Sequence, residues 1–313
     1  MLHTAAPILV GLLVLTTGAE GLVRGASSLA RRLGLSPLVI GLTVVAFGTS
    51  TPEFVVSLQA ALDGNGNIAI GNVVGSNIGN ITLILGGAAC LAPLRVRAQI
   101  IRTDVPIMIG VSLLLGGLLV DGRIGRVDGF LLALGIVAYT TATVWLARRE
   151  AAPAVAAEFD AGIPARHALW RDLLFTAGGL GLLMGGAQLL VNGAVSIAEQ
   201  IGVSQAVIGL TIVGIGTSLP ELATSVAAAA RGEGDIAIGN VVGSNIFNIL
   251  GILGVTALVQ PLSGSGLSRV DLAVMVGLAV LMLPVTRTQY TFSRAEGGGL
   301  LAIYGSYLAY LLW

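Results

Sequence analysis

The sequence predicts an all-α integral membrane protein of ten transmembrane helices, arranged as two inverted-topology repeats of five. Three observations predict it. The chain of 313 residues is 55% hydrophobic and only 10% charged, with a mean hydropathy of +0.93, whereas a soluble domain carries roughly 25% charged residues. Its apolar stretches are long enough for helices that cross a bilayer core about 30 Å thick. Finally, residues 41–86 recur as residues 209–254 at a constant offset of 168, without a gap and with 30 of 46 positions identical.

The spans fall at about 5–27, 37–62, 67–92, 104–121 and 127–147, then at about 169–196, 205–230, 235–260, 269–286 and 297–313. The first apolar stretch lacks a basic leading region and reads as a retained span rather than a cleaved signal. Residues 148–168 are the one substantial polar linker. Two transmembrane halves follow: residues 1–147 with helices 1–5 and the first repeat at about 37–92, and residues 169–313 with helices 6–10 and the second repeat at about 205–260.

Every basic residue is an arginine, and the arginines orient the chain. With the N-terminus outside, thirteen of the sixteen fall on the inner side and only Arg123, Arg126 and Arg269 on the outer side. The positive-inside rule therefore places the linker in the cytoplasm and both termini outside, in a plasma (inner) membrane.

Composition also excludes several classes. Sixteen basic and sixteen acidic residues balance, and no stretch gathers arginines with aromatics, so nucleic-acid binding has no basis. Cys90 is the single cysteine, in an apolar segment, and reads as a small buried hydrophobe. No HExxH or GxSxG motif is present, and His3 and His167 lie outside the spans, so no enzyme is expected.

The repeat is the most informative feature. GLTVVAFGTSTPE and GNVVGSNIGNI in the first copy match GLTIVGIGTSLPE and GNVVGSNIFNI in the second, and LVRGASSLA at 22–30 matches LVNGAVSIA at 190–198. Five spans separate equivalent points, so the second copy crosses in the opposite direction. Inverted repeats of this kind build secondary transporters, with the site near the midplane.

Glu53 and Glu221 are equivalent under the repeat and lie well inside apolar helices. A charge there costs at least about 2.5 kcal/mol on insertion scales and must find a partner or a water-filled cavity. No arginine shares their segments, so the two carboxylates ask for cations, with protons as competitors. Pro52 and Pro220 precede them. A helix-interior proline frees the carbonyl four residues earlier, here at Gly48 and Gly216, and such broken helices line ion cavities. Thr49, Ser50, Thr217 and Ser218 add oxygens. Ser76, Asn77 and Asn80 join them from the third span, with Ser244, Asn245 and Asn248 from the eighth. An all-oxygen set with two formal charges suits Ca²⁺, or two monovalent ions, better than a transition metal.

These motifs resemble the two α-repeats of the Ca²⁺/cation antiporter superfamily, on its Na⁺/Ca²⁺ exchanger branch, and the resemblance covers essentially all ten spans. It implies the Na⁺/Ca²⁺ exchanger fold, with four ion sites in a central cluster and no cofactor beyond the transported Ca²⁺ and Na⁺. By position, Glu53 and Glu221 would bind Ca²⁺ and share Na⁺, and the carbonyls of Thr49 and Thr217 would complete the Ca²⁺ shell. Ser50, Ser76, Ser218 and Ser244, with the carbonyls of Ala46 and Gly214, would serve flanking Na⁺ sites. Asn80 and Asn248 would flank the middle site. The first and sixth helices would slide across a rigid core. Thr51 stands where the motif usually carries leucine. Both Asn80 and Asn248 are neutral where some relatives carry an aspartate, which bears on stoichiometry and on any K⁺ requirement.

The expected activity is thus antiport of Na⁺ against Ca²⁺, exporting Ca²⁺, by a chain embedded in the lipid bilayer and expected to act as a monomer. The alternative is an H⁺/Ca²⁺ or K⁺-dependent exchanger of the same superfamily; a passive cation channel is less favoured. Gly71, Gly75, Gly86, Gly239, Gly243 and Gly254 read as close-packing positions. Glu20 and Arg24 read as a local i,i+4 pair or, in a sharper reading, a gate contact. Asp63, Asn65, Asn67, Glu233 and Asp235 read as solvated turn residues.

Overall fold

A computed structural model describes residues 2–159, 168–200, 214–264, 267–287 and 290–312. Its helices follow the expected order. Helix 1 is Leu2–Arg32. Span 2 is broken into Pro37–Thr49 and Thr51–Leu62, bent by 45°. Span 3 is Gly66–Leu91 and span 4 is Ile100–Asp121. Helix 5 is Arg126–Phe159 and helix 6 is Leu169–Gln200. Span 7 is described from Gly214 as Gly214–Thr217 and Leu219–Ala230, its earlier part lying outside the described residues. Span 8 is Gly234–Val259, and helices 9 and 10 are Arg269–Arg287 and Arg294–Leu312.

Helices 1 and 5 outrun their expected ends the furthest. Helix 1 continues through Arg31 and Arg32, where cations suit the C-terminal end of the helix dipole. Helix 5 continues past Ala147 to Phe159, into the segment expected as polar linker. Alanine-rich sequence sustains a helix beyond the bilayer, because polarity limits insertion and not helix formation. Residues 160–167 of that linker, including His167, lie outside the described residues.

Spans 3 and 8 form the centre. Their most apolar windows are 72% and 83% buried, against 17–39% for helices 1, 4, 5 and 6. Both carry a π-helical turn, at Asn80–Leu85 and Asn248–Leu253. Such wide turns re-aim side chains and gather at functional sites. The inverted symmetry extends into the loops. Four two-residue strands follow in chain order: β1 (Leu94–Arg95), β2 (Arg123–Ile124), β3 (Leu262–Ser263) and β4 (Thr291–Phe292). β1 pairs antiparallel with β4, and β2 with β3. The repeat offset exchanges one ribbon for the other, as a two-fold axis in the membrane plane requires.

A second, nearly symmetric feature lies outside the motifs, with the tyrosines offset by 168 and the aspartates by 167. The Tyr139 hydroxyl donates to Asp104 Oδ1 at 3.2 Å, and the Tyr307 hydroxyl to Asp271 Oδ1 at 2.9 Å. These pairs tie span 4 to helix 5 and helix 9 to helix 10. Each gives one carboxylate oxygen a donor, while Asp104 Oδ2 stays buried without one.

Helices 1 and 6 lie antiparallel along a glycine seam. Gly11, Gly18 and Gly25 on one face Leu190, Leu183 and Thr176 on the other, while Gly179 and Gly186 face Leu22 and Leu15. A Cβ on Gly179 or Gly186 would lie 2.5 Å from a backbone nitrogen. Only hydrogen fits there, and close approach of backbones is how helices associate in lipid. Arg32 Nε donates to Asp172 Oδ2 at 3.1 Å and ties the same two helices together.

The other glycines were expected to pack closely. Gly239 and Gly243 meet the carbonyls of Leu38 and Leu42, Gly254 meets Ala133, and Gly86 meets Gly297. The positions equivalent to Leu38 and Leu42 for Gly71 and Gly75 are 206 and 210, outside the described residues.

Replacing Gly179 by leucine forces the helix 1 and helix 6 backbones apart. The expected result is a lower melting temperature, with a cost of about 1–3 kcal/mol or more, as for other overpacked contacts. Thermal melts followed by size-exclusion chromatography check this, and an unchanged melt would show that the seam is not tight.

Candidate cation-binding site

Spans 2 and 7 break where a serine meets a proline. Ser50 leaves helical geometry at φ −79°, ψ 8°, and Ser218 does the same at φ −90°, ψ 8°. The following helices begin Thr51-Pro52-Glu53 and Leu219-Pro220-Glu221, with proline in the first turn, where its missing N–H costs nothing. Each glutamate thus occupies a helix N-terminus in the middle of a span.

The structure brings these two ends together. Ser218 Oγ donates to Glu53 Oε1 at 2.8 Å, and Ser50 Oγ donates to Glu221 Oε1 at 2.9 Å. Each copy of the repeat therefore supplies the hydroxyl that its partner's carboxylate needs. Both glutamates are 1% exposed. Thr49, Ser50, Ser76, Ser218, Ser244, Asn80, Asn248 and Ala46 are all buried as well. Thr217 is half-buried. The Ala46 carbonyl accepts the Ser50 N–H at 3.1 Å. Gly214 opens the short helix Gly214–Thr217.

At this site four acceptor oxygens are buried with no hydrogen-bond donor: Glu53 Oε2, Glu221 Oε2, Asn80 Oδ1 and Asn248 Oδ1; away from it, Asp104 Oδ2 is also without one. The four at the site form two repeat-related pairs. Buried polar atoms are almost always satisfied, and an ionised carboxylate only accepts. A set of donorless oxygens with two formal charges fits a hard cation. Ser244 Oγ is likewise open. A cavity of about 20 Å³ lies beside Ser76 and Ser218, room for about one water-sized species. Among the described residues no three His, Cys, Asp or Glu side chains converge, so the remaining ligands would be hydroxyl, amide and carbonyl oxygens.

The residues that hold each break were missing from the sequence-based site. Asn72 Nδ2 donates to the Glu53 carbonyl at 3.1 Å and to Ser57 Oγ at 2.9 Å. Asn240 Nδ2 does the same for the Glu221 carbonyl at 3.3 Å and Ser225 Oγ at 3.1 Å. Thr49 Oγ1 lies 3.0 Å from Asn240 Oδ1 and donates to it. The available signal was their identity in both copies, Asn72 with Asn240 and Ser57 with Ser225.

The approaches to the site differ. On one side a cavity of about 380 Å³ reaches Pro52, Gly216 and Thr217 and is bordered by Gln188 and Asn192 of helix 6. The repeat-equivalent positions on the other side are Glu20 and Arg24 of helix 1. They form the expected local pair, and Glu20 also meets Arg231 at the end of span 7, at 3.2 Å. The pair is therefore not merely local. Asp235, read as a solvated turn residue, sits in the first helical turn of span 8 and is ion-paired with Arg97, because the strand at Leu94–Arg95 brings that loop over the helix end.

Two inverted copies that share one buried all-oxygen site define a membrane transporter of cations. Comparison with known proteins carries this further. The family model described as sodium/calcium exchanger protein matches residues 3–145 and 172–313. Inner membrane protein YrbG of Escherichia coli K12 is 41% identical over 264 residues, covering 83% of this chain and 81% of that one. Sodium/calcium exchanger MaX1 of Methanosarcina acetivorans is 33% identical over 341 residues, covering 98% of this chain and 97% of its own. The solved structure of the sodium-calcium exchanger NCX_Mj soaked with Na⁺ and Ca²⁺ superposes with a TM-score of 0.86 at 33% identity, over 99% of this chain and 98% of that one. The chain belongs to the sodium/calcium exchanger family, whose members are membrane transporters and not enzymes.

Replacing Asn240 by leucine, similar in size, removes three hydrogen bonds, to the Glu221 carbonyl, Ser225 Oγ and Thr49 Oγ1. Each lost bond is worth about 0.5–1.5 kcal/mol, so the expected result is a clear fall in melting temperature. An unchanged melt of the purified variant would show that Asn240 does not hold the break.

Proposed function

We propose that this chain is a secondary active antiporter that exchanges Na⁺ for Ca²⁺ by alternating access, exporting Ca²⁺ as Na⁺ enters. The observation that carries the reading is the set of four donorless oxygens on Glu53, Glu221, Asn80 and Asn248, buried at the interface of the two repeats. The solved exchanger that the chain resembles was soaked with Na⁺ and Ca²⁺, which supports the choice of ions.

In this reading Glu53 and Glu221 bind Ca²⁺ directly and share Na⁺, and the carbonyls of Thr49 and Thr217 complete the Ca²⁺ shell. Ser50, Ser76, Ser218 and Ser244, with the carbonyls of Ala46 and Gly214, serve flanking Na⁺ ions. Asn80 and Asn248 supply neutral oxygens to the middle of the cluster. The two halves, residues 1–147 and 169–313, are joined by the cytoplasmic linker 148–168. Both termini lie outside the plasma (inner) membrane, in keeping with the arginine distribution, and the chain works as a monomer.

Alternating access follows from the two unlike approaches. The cavity beside Gln188 and Asn192 leads toward Thr217, while Glu20 and Arg231 form an ion pair on the repeat-related side. Helices 1 and 6, tied to each other by the glycine seam and by Arg32–Asp172, move as a pair across spans 2, 3, 7 and 8. Opening one crevice closes the other, so the ions meet one side at a time. Competition is intrinsic: Na⁺ and Ca²⁺ need the same two carboxylates, and binding of one set displaces the other.

The test is ⁴⁵Ca²⁺ uptake into proteoliposomes under outward Na⁺, K⁺ and pH gradients. Uptake driven by the Na⁺ gradient is expected, and Glu53→Gln or Glu221→Gln is expected to abolish it. Uptake driven by a pH gradient alone would establish an H⁺/Ca²⁺ exchanger. Conductance without coupling would establish a channel.

Protons compete with cations for the same carboxylates. The rate of Na⁺-driven uptake at fixed subsaturating Ca²⁺ is therefore expected to fall as the medium is acidified and to recover when Ca²⁺ is raised. A loss that Ca²⁺ does not reverse would place the proton elsewhere.

A further inference from the structure

Spans 3 and 8 touch through four buried asparagines, each 1% exposed. Their hydrogen bonds run in one direction. Asn77 Nδ2 donates to the backbone carbonyl of Asn245 at 3.2 Å, and Asn245 Nδ2 to the backbone carbonyl of Asn77 at 3.4 Å. Asn77 Oδ1 accepts from Asn248 Nδ2 at 2.9 Å, and Asn245 Oδ1 accepts from Asn80 Nδ2 at 2.9 Å.

A backbone carbonyl can only accept. Turning either the Asn77 or the Asn245 amide over would set oxygen against oxygen, so the orientation of both is determined by the main chain. Their Oδ1 atoms must then receive an N–H, which obliges Asn80 and Asn248 to present nitrogen to them. The remaining atom of each of those amides is the oxygen, which is buried and has no donor.

From this we infer that Asn77 and Asn245 are positioning residues of the ion site: they hold the Asn248 and Asn80 amides with Oδ1 turned to the cation. The inference rests on the exchange reading above and deepens it. Helix packing alone does not account for the pattern. A purely structural network satisfies both ends of each amide, whereas here every nitrogen end is used and both outer oxygens are left open, identically in the two copies. Met108 and Met275 approach the inner amide nitrogens only through sulfur, at 3.6 and 4.0 Å, a weak acceptor that does not compete with the carbonyls.

The relay has a consequence for selectivity. It supplies two neutral oxygens and keeps N–H groups away from the cation, so the cluster carries only the two charges of Glu53 and Glu221. A carboxylate at position 80 or 248 could not donate to Asn245 or Asn77 and would face their oxygens. The relay is thus matched to asparagine at both positions.

The test is Ca²⁺ binding to the purified full-length protein by isothermal titration calorimetry, for wild type, Asn245→Ala, Asn77→Ala, Asn80→Ala and the double variant Asn80→Ala/Asn245→Ala. Losing a partner that orients a metal ligand typically weakens affinity about 10- to 100-fold, and that loss is expected in Asn245→Ala and in Asn77→Ala, with the maximal uptake rate at saturating Ca²⁺ much less affected. Because Asn245 acts through Asn80, its removal is expected to add little further loss in the Asn80→Ala background. The two single relay variants are repeat equivalents, so either one that folds serves. Unchanged affinity in a folded variant, a fall in maximal rate alone, or fully additive losses in the double variant would overturn the assignment. Wild-type protein that binds Ca²⁺ but does not exchange it for Na⁺ would overturn the exchange reading and leave this one standing.

Discussion

Two carboxylates held together inside a bilayer, each sharing one oxygen with a serine from the opposite repeat, are the constraint around which this protein is arranged. Glu53 leans on Ser218 and Glu221 on Ser50, so neither half of the chain contains a complete site. A single hydroxyl offsets only part of the cost of burying a carboxylate. The second oxygen of each remains open, in a region where water is scarce and no arginine shares the segment. Exchangeable cations are the occupants we propose for such a site. The surrounding architecture follows from holding these two groups at one place: spans broken at Ser50 and Ser218, breaks pinned by Asn72 and Asn240, and a central pair of helices tied together by asparagine amides.

The inverted repeat reaches well beyond the conserved-looking blocks. The paired β1–β4 and β2–β3 ribbons and the glycines at intervals of seven on helices 1 and 6 obey it, and the Tyr139–Asp104 and Tyr307–Asp271 hydrogen bonds follow it to within one residue. It fails at one informative place. Glu20 and Arg24 have Gln188 and Asn192 as their counterparts. The charged side is bridged to Arg231, and the neutral side borders a cavity. Two approaches related by the repeat but lined by different side chains need not open with equal ease. An exposed ion pair is worth only about 0–1 kcal/mol, yet a difference of that size is enough to bias two conformations severalfold.

Much of this was legible in the chain. Ten helices were expected, and the described residues hold nine of them together with the seventh from Gly214 onward, because twenty-residue apolar runs are a direct record of bilayer thickness. The inverted arrangement was legible because identity at a constant offset across five spans leaves no other topology. Glu53 and Glu221 stood out because acids are costly in apolar helices. Less legible were Asn72, Asn240, Asp104 and Tyr139. Polar residues in a glycine-rich or apolar helix carry no mark that says which neighbour they meet.

By itself, then, the sequence determined the spans, their alternation, the duplication and the two acids, all of which depend on composition along one dimension. Only the tertiary structure decided which oxygens are satisfied and which stay open, that Glu20 meets Arg231 and Asp235 meets Arg97, and that four asparagines all point their nitrogens into one contact. The reason is physical. Hydrogen bonds are directional and reach about 3 Å, so they depend on the rotation and approach of helices far apart in the chain, and hydrophobicity along a single helix does not encode either.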